Sequence, residues 1–443
     1  MKNKFLPLAI VIILCAIIIP LLMDGDDGKY IVSYEGIKTP DPYRPSKVKL
    51  YIENSGSMDG YMFAGSELKD AVYSYVGGLA NHADTTELYS VNSDIYRINS
   101  TLNDVIYAMS PATFHKSLGN KANTDIAQIF NMVLSQIENN SISVLITDGI
   151  LDLPAGSSEF FLTKQTQIKS IFVNYLKSNP NFSIEIFRLT SRFNGNYYYT
   201  GGCVALTNQP RPYYMFVLGD KQTLSVAKAI ISNGQIQHGV DNYYAYSSYT
   251  QVPFVVQNKK KKGKDGDFEV RLQKKEVPIT VKANMQYTLH EDEVLQNSKC
   301  YTIAFGDERI KIKSIKQLTK EPDYTHAFTI TLPPEADESC VNMYFIPRPY
   351  PLWLDDANTD LSDASVATSM KTTGIKYIVE GISDAFASTC VNNPAAFTNE
   401  SKVFAPTLDN KPIPVLAGLK FRIDKKAHFE KPQKTKSKNN RKQ

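Results

Sequence analysis

The sequence is poor in the residues that mark several common kinds of site. Its 443 residues include one tryptophan, five cysteines and six histidines, and no pair of cysteines has the spacing of a zinc site. There is no phosphate-binding loop, and Gly201 and Gly202 do not form a dinucleotide-binding fingerprint. Glycine and proline, at 23 residues each, are near average usage, which excludes a collagen-like or elastic protein. The composition is otherwise globular, with 42% hydrophobic and 21% charged residues.

Positive charge is concentrated at the C-terminus. The formal net charge is +4, but residues 420–443 hold ten Lys or Arg and two acidic residues, so the preceding chain carries about −4. The protein is therefore not basic as a whole, and we predict no nucleic-acid partner. Residues 425–443 are predicted to be a disordered tail, with contact to anionic surfaces as an alternative role. The lysines at 259–264 are interpreted as a charged hairpin tip, or alternatively as a contact for acidic lipid or polymer.

An uncharged run near the N-terminus predicts a membrane anchor. Residues 5–23 carry no charge and, as a helix, would span roughly 28 Å, close to the hydrocarbon core of a bilayer. Lys2 and Lys4 precede the run and aspartates follow it, so the positive-inside rule places the N-terminus in the cytoplasm. A cleaved signal peptide is the alternative, but no small-residue cleavage site closes the run. We predict a single-pass anchor, residues 1–23, in the cell inner membrane, with the bulk of the chain in the periplasm.

Beyond the anchor, the sequence is divided into a linker and an α/β region. Residues 24–46 are polar, with three closely spaced prolines, and are predicted to be an extended linker. Residues 47–235 alternate strand and helix patterns, and Ser66 is a candidate N-cap of the first helix. Such alternation is typical of an α/β fold with a mostly parallel sheet and helices on both faces.

The remainder of the chain has a different pattern. Residues 240–350 contain short β-like runs and are predicted to be a β-rich, sandwich-like region. Residues 351–424 are interpreted as a C-terminal extension of that region. Within the extension, a helix is predicted near residues 362–370 and strands near residues 375–379 and 416–423.

Four cysteines lie beyond the anchor, far apart in the sequence: Cys203, Cys300, Cys340 and Cys390. Outside the cytoplasm, an even number of cysteines permits two disulfides in more than one connectivity. The spacings are not those of a disulfide scaffold, so four buried thiols are an equal alternative.

Polar side chains follow three of the predicted elements of the α/β region. The first strand is followed by Glu53, Ser55 and Ser57; a loop before a helix carries Thr124, and a buried strand is followed by Asp148. Because ligand sites in open α/β sheets lie at the carboxyl ends of strands, we expect these loops to converge. Carboxylate and hydroxyl oxygens suit Mg²⁺, with Mn²⁺ or Ca²⁺ as alternatives, rather than zinc or iron.

These motifs resemble those of the von Willebrand factor A (VWA) family. Its metal-ion-dependent adhesion site is assembled from Asp-x-Ser-x-Ser after the first strand, a Thr from a second loop and an Asp from a third. The resemblance covers about residues 47–233, and Ser55, Ser57, Thr124 and Asp148 match the family positions. It implies a VWA/Rossmann-like, doubly wound fold and reversible, metal-dependent binding of an acidic group on a protein partner.

The sequence departs from the family pattern at Glu53, where the family usually has Asp. Glutamate is longer by one methylene, about 1.5 Å of reach, which is enough to make a direct metal contact or to crowd the ion. Three further acids, Asp59, Asp125 and Asp152, are expected at the rim of the site, where they would contact the partner. Solvated loop acids are the alternative interpretation.

Three functions are compatible with these features. The favoured one is an anchored binding or adhesion protein with a Mg²⁺ site; the second is a metal-free scaffold that binds through its β region. A metal-dependent hydrolase with Ser55 as nucleophile is less favoured, because no His or Lys base is evident near Ser55. Some VWA-like proteins cooperate with AAA-type ATPases on the cytoplasmic side, so with an inverted anchor the resemblance would imply that role here. A group of tyrosines is interpreted either as core or as a partner interface: Tyr197, Tyr198, Tyr199, Tyr213 and Tyr214.

Overall fold

The computed structural model describes residues 29–35, 44–114, 119, 124–151, 158–257, 267–271, 276–334, 339–391, 398–399, 402–403, 405–408 and 410–425. The predicted anchor, the hairpin tip at 258–266 and residues 426–443 of the predicted tail lie outside these residues. In the described part of the chain, no helix is both long enough and apolar enough to cross a membrane. The protein is mixed α/β, with several sheets, one of which combines parallel and antiparallel pairs.

The elements up to residue 247 are named in chain order. The strands are β1 (Lys29–Tyr34), β2 (Lys47–Glu53), β3 (Thr85–Val91), β4 (Ile95–Ile98), β5 (Ser141–Thr147), β6 (Phe182–Tyr199), β7 (Gly202–Asp220) and β8 (Asn242–Ser247). The helices are α1 (Glu67–Ala80), α2 (Leu102–Ala108), α3 (Pro111–Phe114), α4 (Ile126–Ser135), α5 (Ser158–Ser178) and α6 (Lys221–Ile230). Two 3₁₀ turns are Gly56–Tyr61 and Asn233–Gln235.

The remaining elements follow from residue 250 onward. The strands are β9 (Thr250–Gln251), β10 (Phe254–Gln257), β11 (Asp267–Arg271), β12 (Val277–Ala283), β13 (Tyr301–Ala304), β14 (Lys311–Gln317), β15 (His326–Leu332), β16 (Ser339–Phe345), β17 (Asn358–Thr359), β18 (Thr372–Thr373), β19 (Thr398–Asn399), β20 (Lys402–Val403), β21 (Thr407–Leu408), β22 (Lys411–Pro412) and β23 (Ala417–Lys425). The helices are α7 (Asp292–Leu295), α8 (Leu354–Ala357), α9 (Val366–Ser369) and α10 (Ile375–Val391), with 3₁₀ turns at Gln286–Thr288 and Ser298–Cys300.

The central sheet has the order β4-β3-β2-β5-β7-β6-β8. Strand β2 is parallel to both β3 and β5, whereas the other four pairings are antiparallel. The sheet is therefore mixed, and the expected mostly parallel arrangement is wrong. The physical reason is the tight turn after Tyr199, which joins the 18-residue β6 to the 19-residue β7 and leaves no length for a crossover helix.

Local sequence patterns account for the elements around this sheet. All seven residues of β5 are buried, as expected for a strand covered on both faces. Helix α1 buries its apolar face from Leu68 to Leu79, and the Ser66 hydroxyl accepts a hydrogen bond from the Lys69 amide, which confirms the predicted cap. Two apolar cores lie on the opposite faces of the sheet, one under α1 and the other under α4 and α5.

The β-rich region contains two sheets that share one apolar core. One has the order β11-β1-β23-β16-β13, with β9 also paired to β23, and the other has the order β10-β12-β15-β14. Residues 29–34, which are predicted above to belong to the linker, are instead strand β1, between β11 and β23. Val32 is fully buried in the shared core, which explains why this segment pairs rather than remaining extended in solvent.

Residues 354–391 pack against the α/β region rather than extending the β-rich sheets. The predicted strand at 375–379 is wrong, because these residues form the first turns of α10. Apolar residues from Ile375 to Phe386 recur at helical spacing, and their buried face packs with α5 and with Tyr246 of β8. The helix predicted near 362–370 is confirmed only as the short α9.

Three of the four cysteines are free thiols. Cys203 is exposed, Cys300 is buried and Cys340 is half-buried. The side chain of Cys390 lies outside the described part of the chain. The structure therefore favours thiols over disulfides for the three cysteines that it describes.

Candidate functional site

Two adjacent parallel strands place the two predicted carboxylate ligands at one edge of the sheet. Glu53 is the last residue of β2, and Asp148 follows the last residue of β5. Ile52 pairs with Ile146, so Glu53 lies beside Thr147, and the Thr147 hydroxyl donates a hydrogen bond to Glu53 Oε2. Both carboxylates are buried, with 5% of Glu53 and 2% of Asp148 exposed. Two acidic groups therefore lie together where burial makes ionisation costly unless a positive charge is near.

The two predicted serine ligands follow β2 directly. Ser55 precedes the 3₁₀ turn and Ser57 lies within it, and their hydroxyl oxygens are 2.9 Å apart. The Ser57 hydroxyl also favours the charged form of Asp148, lowering the pKa of that carboxyl. The loops after β2 and β5 consequently meet, as expected from their positions at strand ends.

The Asp148 carboxylate is only partly satisfied by its surroundings. Burial raises its pKa above the ordinary value, and the nearby Arg211 guanidinium is the largest opposing influence. Oδ1 accepts a hydrogen bond from the Ile150 amide at 3.3 Å, whereas Oδ2 is buried and has no hydrogen-bond partner. Gly149 has a φ of +67° and allows the sharp turn that directs the following amide back to Asp148.

Thr124 and the predicted rim acids have different environments. Thr124 Oγ1 is buried and lacks a hydrogen-bond partner. Asp125 is the N-cap of α4, accepting from the Ala127 amide at 3.0 Å, and its other oxygen binds Lys164 at 2.6 Å. Asp59 is half-buried in the 3₁₀ turn after Ser57, and Asp152 lies outside the described residues. Asp125 thus has a structural role in addition to the predicted place at the rim.

The chemistry of this donor set fits a hard divalent cation. Glu53 and Asp148 supply carboxylate oxygens, while Ser55, Ser57 and Thr124 supply hydroxyl oxygens. Thr124 Oγ1 and Asp148 Oδ2 are buried without a hydrogen-bond partner, as are several other polar atoms of the described residues, and a bound cation would supply a partner for such an oxygen. Among the described residues, no group of three or more His, Cys, Asp or Glu side chains is arranged to hold a metal ion. The predicted ligand set is of a different kind, because three of its five residues supply hydroxyl groups.

Arg211 is a buried cation at the site that no sequence pattern predicts. Strand β7 extends beyond its last partner in β5, since Thr147 pairs with Tyr214, and Arg211 lies in this extension. The guanidinium carbon is 4.6 Å from the ring centroid of Phe193 and 4.7 Å from that of Tyr197. In the sequence, Arg211 stands between two prolines in a polar stretch, so no periodic pattern marks it as buried.

The C-terminal segment also borders the site. The Ser369 carbonyl accepts a hydrogen bond from Arg211 Nε at 3.0 Å, and Thr372 Oγ1 accepts one from the Tyr214 hydroxyl at 3.0 Å. The Thr373 carbonyl accepts from the Leu151 amide at 2.9 Å, which ties the loop after β5 to β18. The extension assigned to the β-rich region therefore contributes one wall of the α/β site.

The tyrosine group divides between core and surface. Tyr197, Tyr213 and Tyr214 are buried, which favours the core interpretation for these three. Tyr198 is 46% exposed, and its ring lies over Gly56, beside the two serines. One tyrosine of the group is therefore available at the edge of the site.

The hydrogen-bond partner of Ser55 bears on whether this serine could act as a nucleophile. In the described part of the chain, the Ser55 hydroxyl has Ser57 as its hydrogen-bond partner, and a hydroxyl is not a general base.

No protein-family model matches the sequence, and a comparison with curated proteins found no match.

Proposed function

We propose that this protein is a membrane-anchored binding protein whose VWA-like head uses Mg²⁺ to bind an acidic group on a protein partner. The head is residues 47–235, held on the periplasmic side of the inner membrane by the N-terminal anchor. Its role is adhesion or the assembly of an envelope complex. The observation that carries the proposal is the buried, unpartnered Oδ2 of Asp148, which follows β5 directly beside the end of β2 that carries the buried Glu53.

Each side chain has a defined part in this proposal. Glu53, Ser55, Ser57, Thr124 and Asp148 would hold the ion through oxygen atoms. When bound, Mg²⁺ supplies a Lewis-acidic coordination position that a carboxylate of the partner can fill. Thr147 orients Glu53 through its hydroxyl, and both carboxylates are almost fully buried.

The first experiment is a titration of the full-length protein in detergent with Mg²⁺, Mn²⁺ or Ca²⁺, followed by calorimetry and thermal shift. We expect the cation to stabilise the protein by RT ln(1 + [L]/Kd). Asp148→Ala and Asp148→Asn should abolish the shift while retaining a folded protein in EDTA. Glu138→Gln is a matched control, because it removes a carboxylate just before the amino end of β5 and should leave the shift intact.

Two results would contradict the proposal. Absence of binding by the wild type, with binding restored by Glu53→Asp, would identify a metal site that this chain no longer uses. Capture of a partner that survives both EDTA and Asp148→Ala would favour a metal-free scaffold that binds through the β-rich region. The predicted location is tested separately by a C-terminal reporter that is active only in the periplasm.

A further inference from the structure

Arg211 has an environment that is unusual for a structural arginine. Its side chain is 1% exposed, and it is the largest of the fully buried side chains among the described residues. Its contacts are the Ser369 carbonyl and the faces of two aromatic rings, and none of these groups carries a full negative charge. Nη1 is buried and has no hydrogen-bond partner. Burying a guanidinium in this way is costly unless an anion approaches it.

Asp148 is the charged neighbour of Arg211, but the two do not neutralise each other directly. Thr147 pairs with Tyr214, and Arg211 lies three residues before Tyr214 in β7, so the strand that carries Arg211 runs past the turn that carries Asp148. Oδ2 of Asp148 and Nη1 of Arg211 are both without hydrogen-bond partners, so these two atoms do not pair with each other. An arginine that served only to compensate this aspartate would be expected to form the direct, bidentate pair that its geometry favours.

The two unpartnered atoms require opposite kinds of ligand. Asp148 Oδ2 requires a cation or a donor, whereas Arg211 Nη1 requires an acceptor. A carboxylate bound to a cation meets both requirements, since one oxygen can contact the ion and the second can accept from the guanidinium. A neutral ligand such as an amide has only one oxygen and no charge to offset the buried arginine.

We propose that Arg211 is a direct contact for the carboxylate of the partner and makes the site selective for acidic over neutral ligands. This inference rests on the proposed function, because the carboxylate is shared between the bound ion and Arg211. The rings of Phe193 and Tyr197 hold the guanidinium plane in place, and the Ser369 carbonyl fixes its Nε. The side chain is therefore positioned before the ligand arrives, which reduces the entropy lost on binding.

The test uses full-length protein with saturating Mg²⁺ and acetate as the carboxylate probe, with acetamide as its neutral counterpart. Binding is followed by line broadening in NMR spectra of labelled acetate. We expect the wild type to bind acetate in preference to acetamide. Arg211→Met should weaken acetate binding by about tenfold or more, the usual effect of losing a hydrogen bond to a charged group. Arg211→Lys should weaken it to a smaller extent, because the charge remains while the planar fork is lost.

Magnesium affinity gives a second readout that separates contact from scaffolding. Arg211 is a cation near the proposed ion, so Arg211→Met should leave Mg²⁺ affinity unchanged or raise it. If Arg211 had only a structural role, its replacement would instead lower the affinity for Mg²⁺, because the site would lose its shape. Arg192→Met is the matched control, since Arg192 lies on the neighbouring strand, is half-exposed and pairs with Glu67. It should change neither affinity.

The outcomes distinguish this inference from the proposed function. If the wild type binds no Mg²⁺, both fail. If Mg²⁺ binds and acetate affinity is the same in wild type, Arg211→Met and Arg211→Lys, the inference alone is overturned. A fall in Mg²⁺ affinity in Arg211→Met also overturns it. Should Arg211→Met not fold, Arg211→Lys decides the matter, because it retains the buried charge.

Discussion

Thr147 donates its hydroxyl hydrogen to Glu53 across two neighbouring parallel strands, and the same hydroxyl oxygen accepts a hydrogen bond from the Gly149 amide at 2.9 Å. One small side chain thus links the carboxylate after β2 to the turn that carries Asp148. The longer reach of Glu53, relative to aspartate, is therefore constrained by a specific partner.

Thr147→Val should weaken Mg²⁺ binding by about 10- to 100-fold, as is usual when a group that orients a metal ligand is removed. Valine keeps the shape of threonine but cannot hold Glu53 or accept from Gly149. Calorimetric titration measures the effect, and Thr147→Ser, which keeps the hydroxyl, should bind nearly as well as the wild type. Equal affinities for the valine and wild-type proteins would exclude the orienting role.

A second prediction concerns the close approach of the turn after β2 to the β6–β7 hairpin. A Cβ atom at Gly60 would lie 2.2 Å from a ring atom of Phe193, which packs beneath the Arg211 guanidinium. Gly60→Ala should lower the free energy of unfolding by about 1–3 kcal/mol or more, because the ring must move. Chemical denaturation measures this change.

Gly77→Ala is the control for that substitution. Gly77 lies within α1, and a Cβ atom at this position would have its nearest neighbour, an atom of Leu102, at 3.8 Å. The same change should there raise the free energy of unfolding by about 0.5–1 kcal/mol, since alanine favours the helix. A Gly60→Ala protein as stable as the wild type would show that Phe193 does not pack closely on the turn.

The parts of the fold that can be predicted from sequence are those set by local pattern. The continuous apolar run of β5, the helical stripe of α1 and its Ser66 cap all depend on residues within a few positions of one another. The positions of Glu53 and Asp148 at strand ends follow from the same local patterns. Parallel pairing of β2 with β5 then brings them together without further information.

The parts that cannot be predicted in this way depend on contacts between distant residues. Strand β1 pairs with β23, and Val32 lies opposite Ile423, almost the full length of the chain away. Arg211 and the Ser369 carbonyl that holds it are separated by 158 positions. Residues 375–379, taken alone, are a short apolar run that is compatible with a strand or a helix, and the helical spacing becomes evident only when the pattern is followed to Phe386. Neither the pairing of β1 nor the position of Arg211 is contained in any local pattern.

The third prediction concerns Glu185, a buried acid near the amino end of β6. Burial raises its pKa from 4.5 to about 7, although Lys228 and the Tyr243 hydroxyl, which donates to Oε1 at 2.6 Å, favour the charged form. Tyr75 is a further buried neighbour. Between pH 4.5 and 7 the folded protein therefore binds more protons at this site than the unfolded chain does. This group makes the protein less stable as the pH rises through that window.

Glu185→Gln removes this titration while keeping an acceptor for Tyr243. The stability of the variant relative to the wild type should increase between pH 5 and pH 8, by at most about 3 kcal/mol. Denaturation at several pH values measures the difference, which cancels contributions from other titrating groups. Parallel stability curves for the two proteins would show that Glu185 does not titrate in this window.

The last prediction tests whether α10 belongs to the α/β core. Phe386 is fully buried, with its ring centroid 5.7 Å from that of Tyr246 and 6.2 Å from that of Phe182. Phe386→Ala should lower the free energy of unfolding by about 3–5 kcal/mol, because it leaves a cavity between α10 and the sheet. Trp353, the only tryptophan, packs on the same core, so its fluorescence reports this transition.

The control for that substitution is Leu361→Ala. Leu361 lies in the same C-terminal segment but is 62% exposed, and its replacement should change stability by less than about 0.5 kcal/mol. Since Ser369 and Thr373 tie this segment to Arg211 and to the loop after β5, Phe386→Ala should also weaken Mg²⁺ binding, whereas Leu361→Ala should not. If Phe386→Ala lowers stability but leaves Mg²⁺ affinity unchanged, α10 stabilises the core without shaping the site.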